Sequence, residues 1–161
     1  MKKTMSLFAI IFLFLGCSNA EALLFTSITE TGWTQQDWLR FSYTNRLPAK
    51  KVRASWKLRH DNDYPYANIH LIAQYTTPKG ISKTDTLTYL MAQPDGRWLG
   101  TGWYIKEIDL PYVATLDLDE PGQYHFQLRP VVRANDNLLP DKRLLGVHQV
   151  GLELISINDG I

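Results

Sequence analysis

Hydrophobic and polar residues alternate in steps of two along much of this chain. Between residues 52 and 59, apolar side chains hold the even positions and charged or small polar side chains the odd ones. This period is typical of a β-strand with one buried and one solvent-facing side. The segments predicted as strands by this pattern or by strand-forming composition are 23–28, 38–43, 52–58, 69–75, 87–91, 113–118 and 124–128.

Turn signals separate several of these segments, at Lys79-Gly80, Pro94-Asp95-Gly96 and Glu120-Pro121-Gly122. Eight or nine short strands with almost no helix predict an all-β fold. The expected architecture is a single-domain antiparallel β-sandwich, jelly-roll-like or immunoglobulin-like, whose strand order stays open.

Two segments depart from plain alternation. In the last strand, Leu145 and Val147 share one parity whereas Val150 and the later leucines share the other, which predicts a β-bulge near His148-Gln149. The segment 33–38 is predicted as one helical turn, because its polar residues supply a possible N-cap.

The first residues form a secretion signal. Two lysines precede about ten apolar residues, too few to span a bilayer, and Gly16-Cys17 follows. Residues 1–16 are therefore predicted to be a lipoprotein signal peptide, with Cys17 as the acylated first residue of the mature chain. Residues 17–22 form the anchor segment and 23–161 the sandwich domain. The alternative is ordinary signal cleavage after Ala20.

Composition narrows the class of protein. Without residues 1–16, Lys+Arg falls from 17 to 15 against 16 Asp+Glu, and no polybasic tract is present, which argues against a nucleic-acid partner. Cys17 is the one cysteine in 161 residues, so the fold has no internal disulfide and depends on its core.

A polar and aromatic cluster follows the 52–58 segment and is a candidate partner or ligand surface. Asp61 and Asp63 are spaced for calcium, but the further acids of an EF-hand loop are missing, so hydrogen bonds to their own loop backbone are favoured over a metal. Arg59 is expected to pair with one of these aspartates. The candidate surface comprises Arg59, Asp61, Asp63, Tyr64, Tyr66, Trp98 and Trp103.

Catalytic signatures are absent. None of the common motifs for hydrolases, nucleotide binding or zinc binding occurs. The histidines His60, His70, His125 and His148 fall on different predicted strands. His70, His125 and His148 are expected to face solvent rather than to converge on a metal. No cofactor is predicted.

Trp98 and Trp103 flank a glycine-rich turn. Such aromatic residues are able to form a platform for a sugar ring or a partner loop, but packing into the core is favoured. Asp85-Thr86-Leu87 resembles an O-glycosylation signal of some exported bacterial proteins, which makes Thr86 a candidate modification site.

An ordered series of motifs runs through residues 38–152, and with it the chain resembles the gliding motility-associated lipoprotein (GldH) family. The predicted acylated cysteine agrees with this resemblance. The motifs are WLRF (38–41), LRHDNDYPYAN (58–68), DTL (85–87), GRWLG (96–100), KE (106–107), GQYHF (122–126), Arg133 and LGVHQVGL (145–152).

The resemblance implies a non-enzymatic envelope lipoprotein of Gram-negative bacteria. Such a protein supports the gliding machinery and its associated type IX protein secretion as a structural or assembly component. The implied partners are other envelope lipoproteins and membrane components of that machinery, with the membrane itself contacted through the lipid on Cys17. Only Glu21 is acidic soon after Cys17, which favours the periplasmic face of the outer membrane over the cell surface.

Two other functions stay open. A carbohydrate-binding envelope lipoprotein would use Trp98 and Trp103 to stack on a glycan, and their exposure distinguishes it from a scaffold. A hydrolase, the least favoured reading, would need two carboxylates about 5–10 Å apart in a cleft.

Overall fold

The computed structural model describes residues 20–134, 137–138 and 143–157, and these form strands and connections without a helix. Residues 1–16 and Cys17 lie outside this range, so the signal peptide and the acylation site stay predictions. None of the described residues lies in a helix able to cross a membrane. The strands are β1 Ala20–Ser27, β2 Trp33–Thr34, β3 Leu39–Asn45, β4 Lys50–His60, β5 Asn68–Thr76, β6 Ser82–Leu90, β7 Lys106–Leu118, β8 Gly122–Val131, β9 Arg133–Ala134, β10 Asn137–Leu138, β11 Arg143–Leu144 and β12 Val147–Ser156.

Eight of the strands build two four-stranded antiparallel sheets. The first sheet has the order β1-β12-β4-β7 and the second β3-β8-β5-β6. The remaining four strands form two short pairs, β9 with β10 and β2 with β11. The prediction of an all-β, antiparallel, sandwich-like fold is confirmed.

The core lies between the two four-stranded sheets, and the alternation in the sequence identifies it correctly. Over residues 52–60 of β4, 68–73 of β5 and 123–130 of β8, every second side chain is buried and the intervening ones are more exposed. Trp56 contacts both sides of the core, with its ring centroid 5.7 Å from that of Phe41 and 5.5 Å from that of Tyr112. The inward-facing residues of these strands include Val52, Ala54, Trp56, Leu58, Ile69, Leu71, Ala73, Tyr124, Phe126 and Leu128.

The predicted bulge in the last strand is confirmed. In β12, Val147 is opposite His60 and Gln149 is opposite Arg59, so His148 is an extra residue in the register. This residue changes the parity of the side chains that follow, and Val150 is again buried. Leu145 shares the parity of Val147 but precedes the strand and is exposed, whereas Val147 is buried.

Strand β7 begins seven residues earlier than the sequence pattern indicated. Pro111 interrupts the strand signal, although Ile108 and Leu110 on its N-terminal side are buried. Proline lacks the backbone N–H that an inner strand needs, but β7 is an edge of its sheet and tolerates it. The carbonyl of Pro111 accepts a hydrogen bond of 2.5 Å from the Tyr89 hydroxyl of β6, which links the two sheets along this side.

The helical turn predicted for 33–38 is wrong. Trp33 and Thr34 form β2, and the chain then turns back with a hydrogen bond of 3.2 Å from the Asp37 N–H to the Thr34 carbonyl. The polar side chains expected to cap a helix bond to each other instead, at 2.6 Å between Thr34 Oγ1 and Asp37 Oδ2. The indole of buried Trp33 also donates to the Asp37 carbonyl, so the turn is held on both sides.

The connections between the main strands differ strongly at the two ends of the sandwich. Three short connections, 46–49, 77–81 and 119–121, lie at one end, which also holds the start of β1 and the end of β12. We call this the turn end. Longer connections lie at the other end, the loop end: 28–38, 61–67, 91–105 and the described residues of the connection between β8 and β12.

Truncation of a core leucine tests this packing. Leu152, fully buried in β12 opposite Trp56, is expected to lose about 2–5 kcal/mol of unfolding free energy on Leu152→Ala, because the variant leaves a cavity. Leu23→Ala is the matched control, since Leu23 on β1 is 51% exposed and its loss is expected to stay within about 0.5 kcal/mol. Urea unfolding followed by tryptophan fluorescence measures both, and equal effects would contradict the described packing.

Candidate functional site

His60 lies at the centre of the loop end. It is the last inward-facing residue of β4, so the alternation that buries the core leaves its imidazole fully buried as well. Its Nδ1 lies 2.9 Å from the Asp61 carbonyl, and because a carbonyl only accepts, Nδ1 carries the hydrogen. The ring packs edge-on to Trp98, at 4.6 Å between centroids, and beside Tyr64 at 5.7 Å.

The buried imidazole is held neutral. Burial lowers the pKa of His60, and the positive charges of Lys106 and His148 act in the same direction. The hydrogen bond to the Asp61 carbonyl and the charge of Asp61 oppose this shift but do not cancel it. The Nε2 atom is buried and makes no hydrogen bond to the described residues, so protonation would place an unsolvated charge there.

Asp61 connects two of the loops at this end. Its backbone N–H donates to the Gly146 carbonyl at 2.9 Å, and its Oδ1 accepts from the Asp63 N–H at 2.8 Å. Its other oxygen, Oδ2, lies 2.7 Å from Nε2 of His148 on β12. Burial alone would raise the pKa of Asp61, but the hydrogen bonds from His148 and Asp63 outweigh it and lower the pKa.

Gly146 allows the 61–67 loop to lie against the start of β12. Its φ of +73° is a left-handed conformation, and a Cβ at this position would lie 2.2 Å from the Tyr64 nitrogen. Only glycine fits, so the two loops interlock at this point. The motifs 58–68 and 145–152, far apart in sequence, therefore form one contact in the fold.

A third connection, 91–105, joins the same cluster through Trp98. Its indole Nε1 donates to Asn62 Oδ1 at 3.0 Å while its ring covers His60. A bridge between Ala92 and Trp98, closed by a turn at Gly96, fixes the indole in place. Packing of Trp98 against the core was favoured from the sequence and is confirmed.

The two tyrosines of the 61–67 loop lie on its other side. Tyr64 is buried and donates to the Asn68 carbonyl at 2.8 Å, and Tyr66 packs edge-on against it at 5.9 Å. Burial raises the pKa of Tyr64 far above its usual range, so it stays a neutral donor. Both tyrosines line a small open cavity of about 120 Å³ with Asn68, Ile69, His70, Val131, Val132 and Leu144.

Arg59 does not take part in this cluster. Adjacent strand residues point to opposite faces, so His60 points inward and Arg59 outward. Its Nε donates to Glu107 at 2.6 Å, and its guanidinium lies 4.0 Å from the centre of the Phe25 ring. The expected pairing of Arg59 with Asp61 or Asp63 is therefore wrong.

Trp103 and Tyr104 form an exposed pair, which we call the aromatic tip. Trp103 is 98% exposed and Tyr104 68% exposed, so the expectation that Trp103 packs into the core is wrong. The tip lies in a hairpin closed by two backbone hydrogen bonds between Thr101 and Glu107. Gly102, with φ of +135°, allows this tight reversal, because a Cβ there would lie 2.0 Å from the Ile105 oxygen. The hairpin packs on itself, and its tip projects outward.

The remaining predicted residues occupy ordinary positions. Asp63 is exposed, and the favoured loop hydrogen bond is confirmed by its N–H bond to Asp61. No group of three potential His, Cys, Asp or Glu metal ligands occurs among the described residues. Thr86 is exposed on β6, an edge strand, and its glycosylation stays a prediction.

The four histidines do not form one site. His125 lies opposite Thr76 near the turn end, whereas His148 lies at the loop end, so the expectation that they do not converge is confirmed. The expectation of solvent exposure holds for His125 and His148, and His70 is half-buried. His60, by contrast, is fully buried. No local sequence pattern could have predicted the contact between His60 and Trp98, because 38 positions separate the two residues.

The fold and the loop end together define a class of protein, an all-β domain of two packed sheets with a cluster of interlocked loops at one end. The family model described as GldH lipoprotein matches residues 24–154, which include both main sheets and the loop end. The chain belongs to the GldH lipoprotein family, and the resemblance stated from the motifs is confirmed.

Two relatives show the extent of the similarity. The chain is 31% identical to the gliding motility lipoprotein GldH homolog of Christiangramia forsetii over 159 residues, which are 96% of this chain and 97% of that protein. It is 33% identical to the gliding motility lipoprotein GldH of Flavobacterium johnsoniae over 125 residues, which are 77% of each protein.

The buried imidazole makes stability depend on pH. A histidine in the unfolded chain takes up a proton near pH 6.5, whereas His60 resists protonation in the fold. The unfolded state then binds more protons just below pH 6.5, so stability is expected to fall on acidification, by at most about 1.4 kcal/mol per pH unit. We expect His60→Gln, which keeps a donor for the Asp61 carbonyl, to flatten this slope.

The measurement is the free energy of unfolding in urea at pH 7 and pH 5, a window above the lowered pKa of Asp61. His125→Gln is the matched control, because His125 is an exposed histidine, and it should keep the wild-type slope. An unchanged slope in His60→Gln would show that another group governs the pH dependence.

Proposed function

We propose that this protein is a lipid-anchored envelope protein that supports the gliding machinery and its associated type IX secretion as a structural or assembly component. In this proposal the lipid on Cys17 holds the turn end at the membrane, and the loop end binds other envelope proteins. The relatives named above are gliding motility lipoproteins, which supports the proposed process. The protein acts by binding and not by catalysis.

The observation that carries the proposal is the position of the long connections. They lie at the opposite end of the sandwich from Ala20. Ala20 is the first residue of β1 and follows Cys17 by three positions. A strand of eight residues is about 26 Å long, so the loops are separated from the anchored end by the length of the sandwich. Binding residues are commonly carried by loops that a rigid scaffold positions, and these loops point away from the predicted anchor.

The aromatic tip is the proposed contact residue pair. Trp and Tyr are enriched among the residues that dominate binding energy at protein interfaces. Leu90 at the end of β6 and Leu99 in the 91–105 connection are also exposed at this end. Hydrogen bonds from Asp61 to Gly146 and from Trp98 to Asn62 join the described parts of these loops before a partner binds, so the proposed docking loses little conformational entropy.

A glycan is the alternative ligand for the tip, since an exposed indole is able to stack on a sugar ring. Trp98 is occupied by its contacts with His60 and Asn62, so it does not form a platform with Trp103. The structure therefore offers a sugar one open indole instead of two. We favour a protein partner on this observation.

The decisive experiment compares tip variants in native membranes. Trp103→Ala combined with Tyr104→Ala is expected to reduce co-purified gliding or secretion components about tenfold or more, while the amount of the tagged protein stays constant. Leu23→Ala is the matched control, because it removes an exposed apolar side chain from the edge strand β1, away from the loop end. If the tip variant still recovered its partners, or if glycan were the only molecule lost, the proposed protein-docking role of the tip would be wrong.

The anchor has its own test. Cys17→Ala is expected to prevent acylation and to move the protein out of the detergent-extracted membrane fraction, with loss of the same partners. Metabolic labelling with a palmitate analogue followed by fractionation measures this, and Cys17→Ala protein that stayed labelled would contradict the assignment. Ordinary signal cleavage predicts that the wild type is unlabelled.

A further inference from the structure

The turn end carries two exposed aliphatic side chains. Leu47 is 65% exposed in the connection between β3 and β4, and Ile81 is 66% exposed in the connection between β5 and β6. The strand that leads to Cys17 begins at this same end. Large aliphatic side chains at such exposure are individually ordinary, but here both lie at the tips of turns on the end that the predicted anchor holds.

Both turns are fixed by hydrogen bonds. The side chain of Asn45, buried at 2% exposure, lies with its Nδ2 2.6 Å from the Leu47 carbonyl and within 3.2 Å of the carbonyls of Leu118 and Glu120. The Ile81 turn is closed by the Thr77 N–H, which donates to the Ile81 carbonyl at 2.9 Å. The two aliphatic side chains are therefore presented by rigid backbone.

The charges around these side chains are largely paired. Lys50 lies 2.5 Å from Glu21, and Lys79 is paired with Glu120. Arg46 and Asp119, both exposed at this end, are of opposite sign. The turn end therefore offers apolar contact with little net charge, and its contact with a surface should depend weakly on salt.

The length of chain before β1 decides what this end faces. Cys17 and Ala20 are three residues apart, which spans about 10 Å when fully extended. An acyl chain on Cys17 lies in the hydrocarbon layer, so the start of β1 is held within about that distance of the headgroups. The turn end then lies at the bilayer surface whenever the sandwich stands upright.

We propose that the turn end is a membrane-contact surface, in which Leu47 and Ile81 insert among the lipid headgroups of the bilayer that holds the acyl chains. This rests on the proposed lipid anchoring. Two aliphatic side chains are too few to hold an untethered domain, but the tether raises their effective concentration at the surface. Their contact sets the orientation of the domain and directs the aromatic tip away from the membrane.

The test measures which residues touch lipid. The acylated full-length protein carries one added cysteine at a time, as Leu47→Cys, Ile81→Cys, Thr86→Cys or Trp103→Cys, labelled with an environment-sensitive fluorophore. It is reconstituted in vesicles of phosphatidylethanolamine and phosphatidylglycerol that contain a lipid-borne nitroxide quencher. All four positions are exposed, so the labels should leave the core unchanged, and unaltered urea unfolding verifies this.

We expect quenching at positions 47 and 81 to exceed that at 103 and 86 by about threefold or more, and to persist in 0.5 M salt. Equal quenching at 86 would show that the domain lies on its side, and stronger quenching at 103 would show that it is inverted; either result overturns the proposal. Weak quenching at all four positions on protein that floats with the vesicles also overturns it. Protein that fails to float shows instead that the lipid anchor itself is wrong.

A paired substitution gives a second readout. Leu47→Asp combined with Ile81→Asp should leave the acylated protein in the vesicle fraction but raise quenching at position 86, because the domain loses its preferred orientation. The matched control is Leu90→Asp, which places a carboxylate on an equally exposed leucine at the loop end. An unchanged quenching pattern in the double variant would exclude an orienting role for Leu47 and Ile81.

Discussion

The structure depends on the alternation of side chains along β4. This strand lies between β12 and β7, so it contributes to two of the three hydrogen-bonded ladders of its sheet. Its inward residues, Trp56 among them, fill the centre of the core, and its outward Lys57 forms ion pairs with Asp109 at 2.5 Å and Glu153 at 3.1 Å on the neighbouring strands. No disulfide is available to join the two sheets. The inward side chains of β4 therefore hold them together by packing, and its hydrogen bonds set the register of β12 and β7.

The same alternation builds the loop end. The inward period of β4 ends on His60, so a titratable ring takes the last core position where an aliphatic residue would otherwise lie. The loops are organised around that ring by polar contacts: Asp61 bonds to Gly146 and His148, and Trp98 bonds to Asn62. Three connections from distant parts of the chain thus form one cluster, and the aromatic tip projects from an ordered base.

The sequence predicted most of the strands because their signal is local. The period of two in β4, β5 and β8 reports directly which face is buried, and even the bulge at His148 is visible as a change of parity. The failures have physical causes of a different kind. Thr34 and Asp37 are as suitable for closing a tight turn as for capping a helix, and Pro111 is compatible with a strand only at an edge, which requires the sheet order.

The site was less predictable than the fold because its contacts join residues that are far apart in the sequence. Asp61 and Trp98 were both singled out, but their roles depend on partners 87 and 38 positions away, His148 and His60. Arg59 was assigned to the loop because it is adjacent in sequence, whereas strand geometry places it on the opposite face. Trp103 was expected to be buried, since large aromatic side chains usually are, and only the hairpin between Thr101 and Glu107 shows why it is not.

The distribution of the connections gives the domain a polarity that its sheets alone lack. A sandwich of antiparallel strands has two similar ends, yet here the short turns and the start of β1 lie at one end and the long connections at the other. In the proposed anchoring, the start of β1 at Ala20 follows the acylated Cys17 by only three positions. This segment is too short to let the loop end reach the bilayer while the domain stands upright. In the proposed arrangement the exposed aromatic tip faces a partner and the exposed aliphatic turns face the membrane, and the sheets between them hold the two surfaces about one strand length apart.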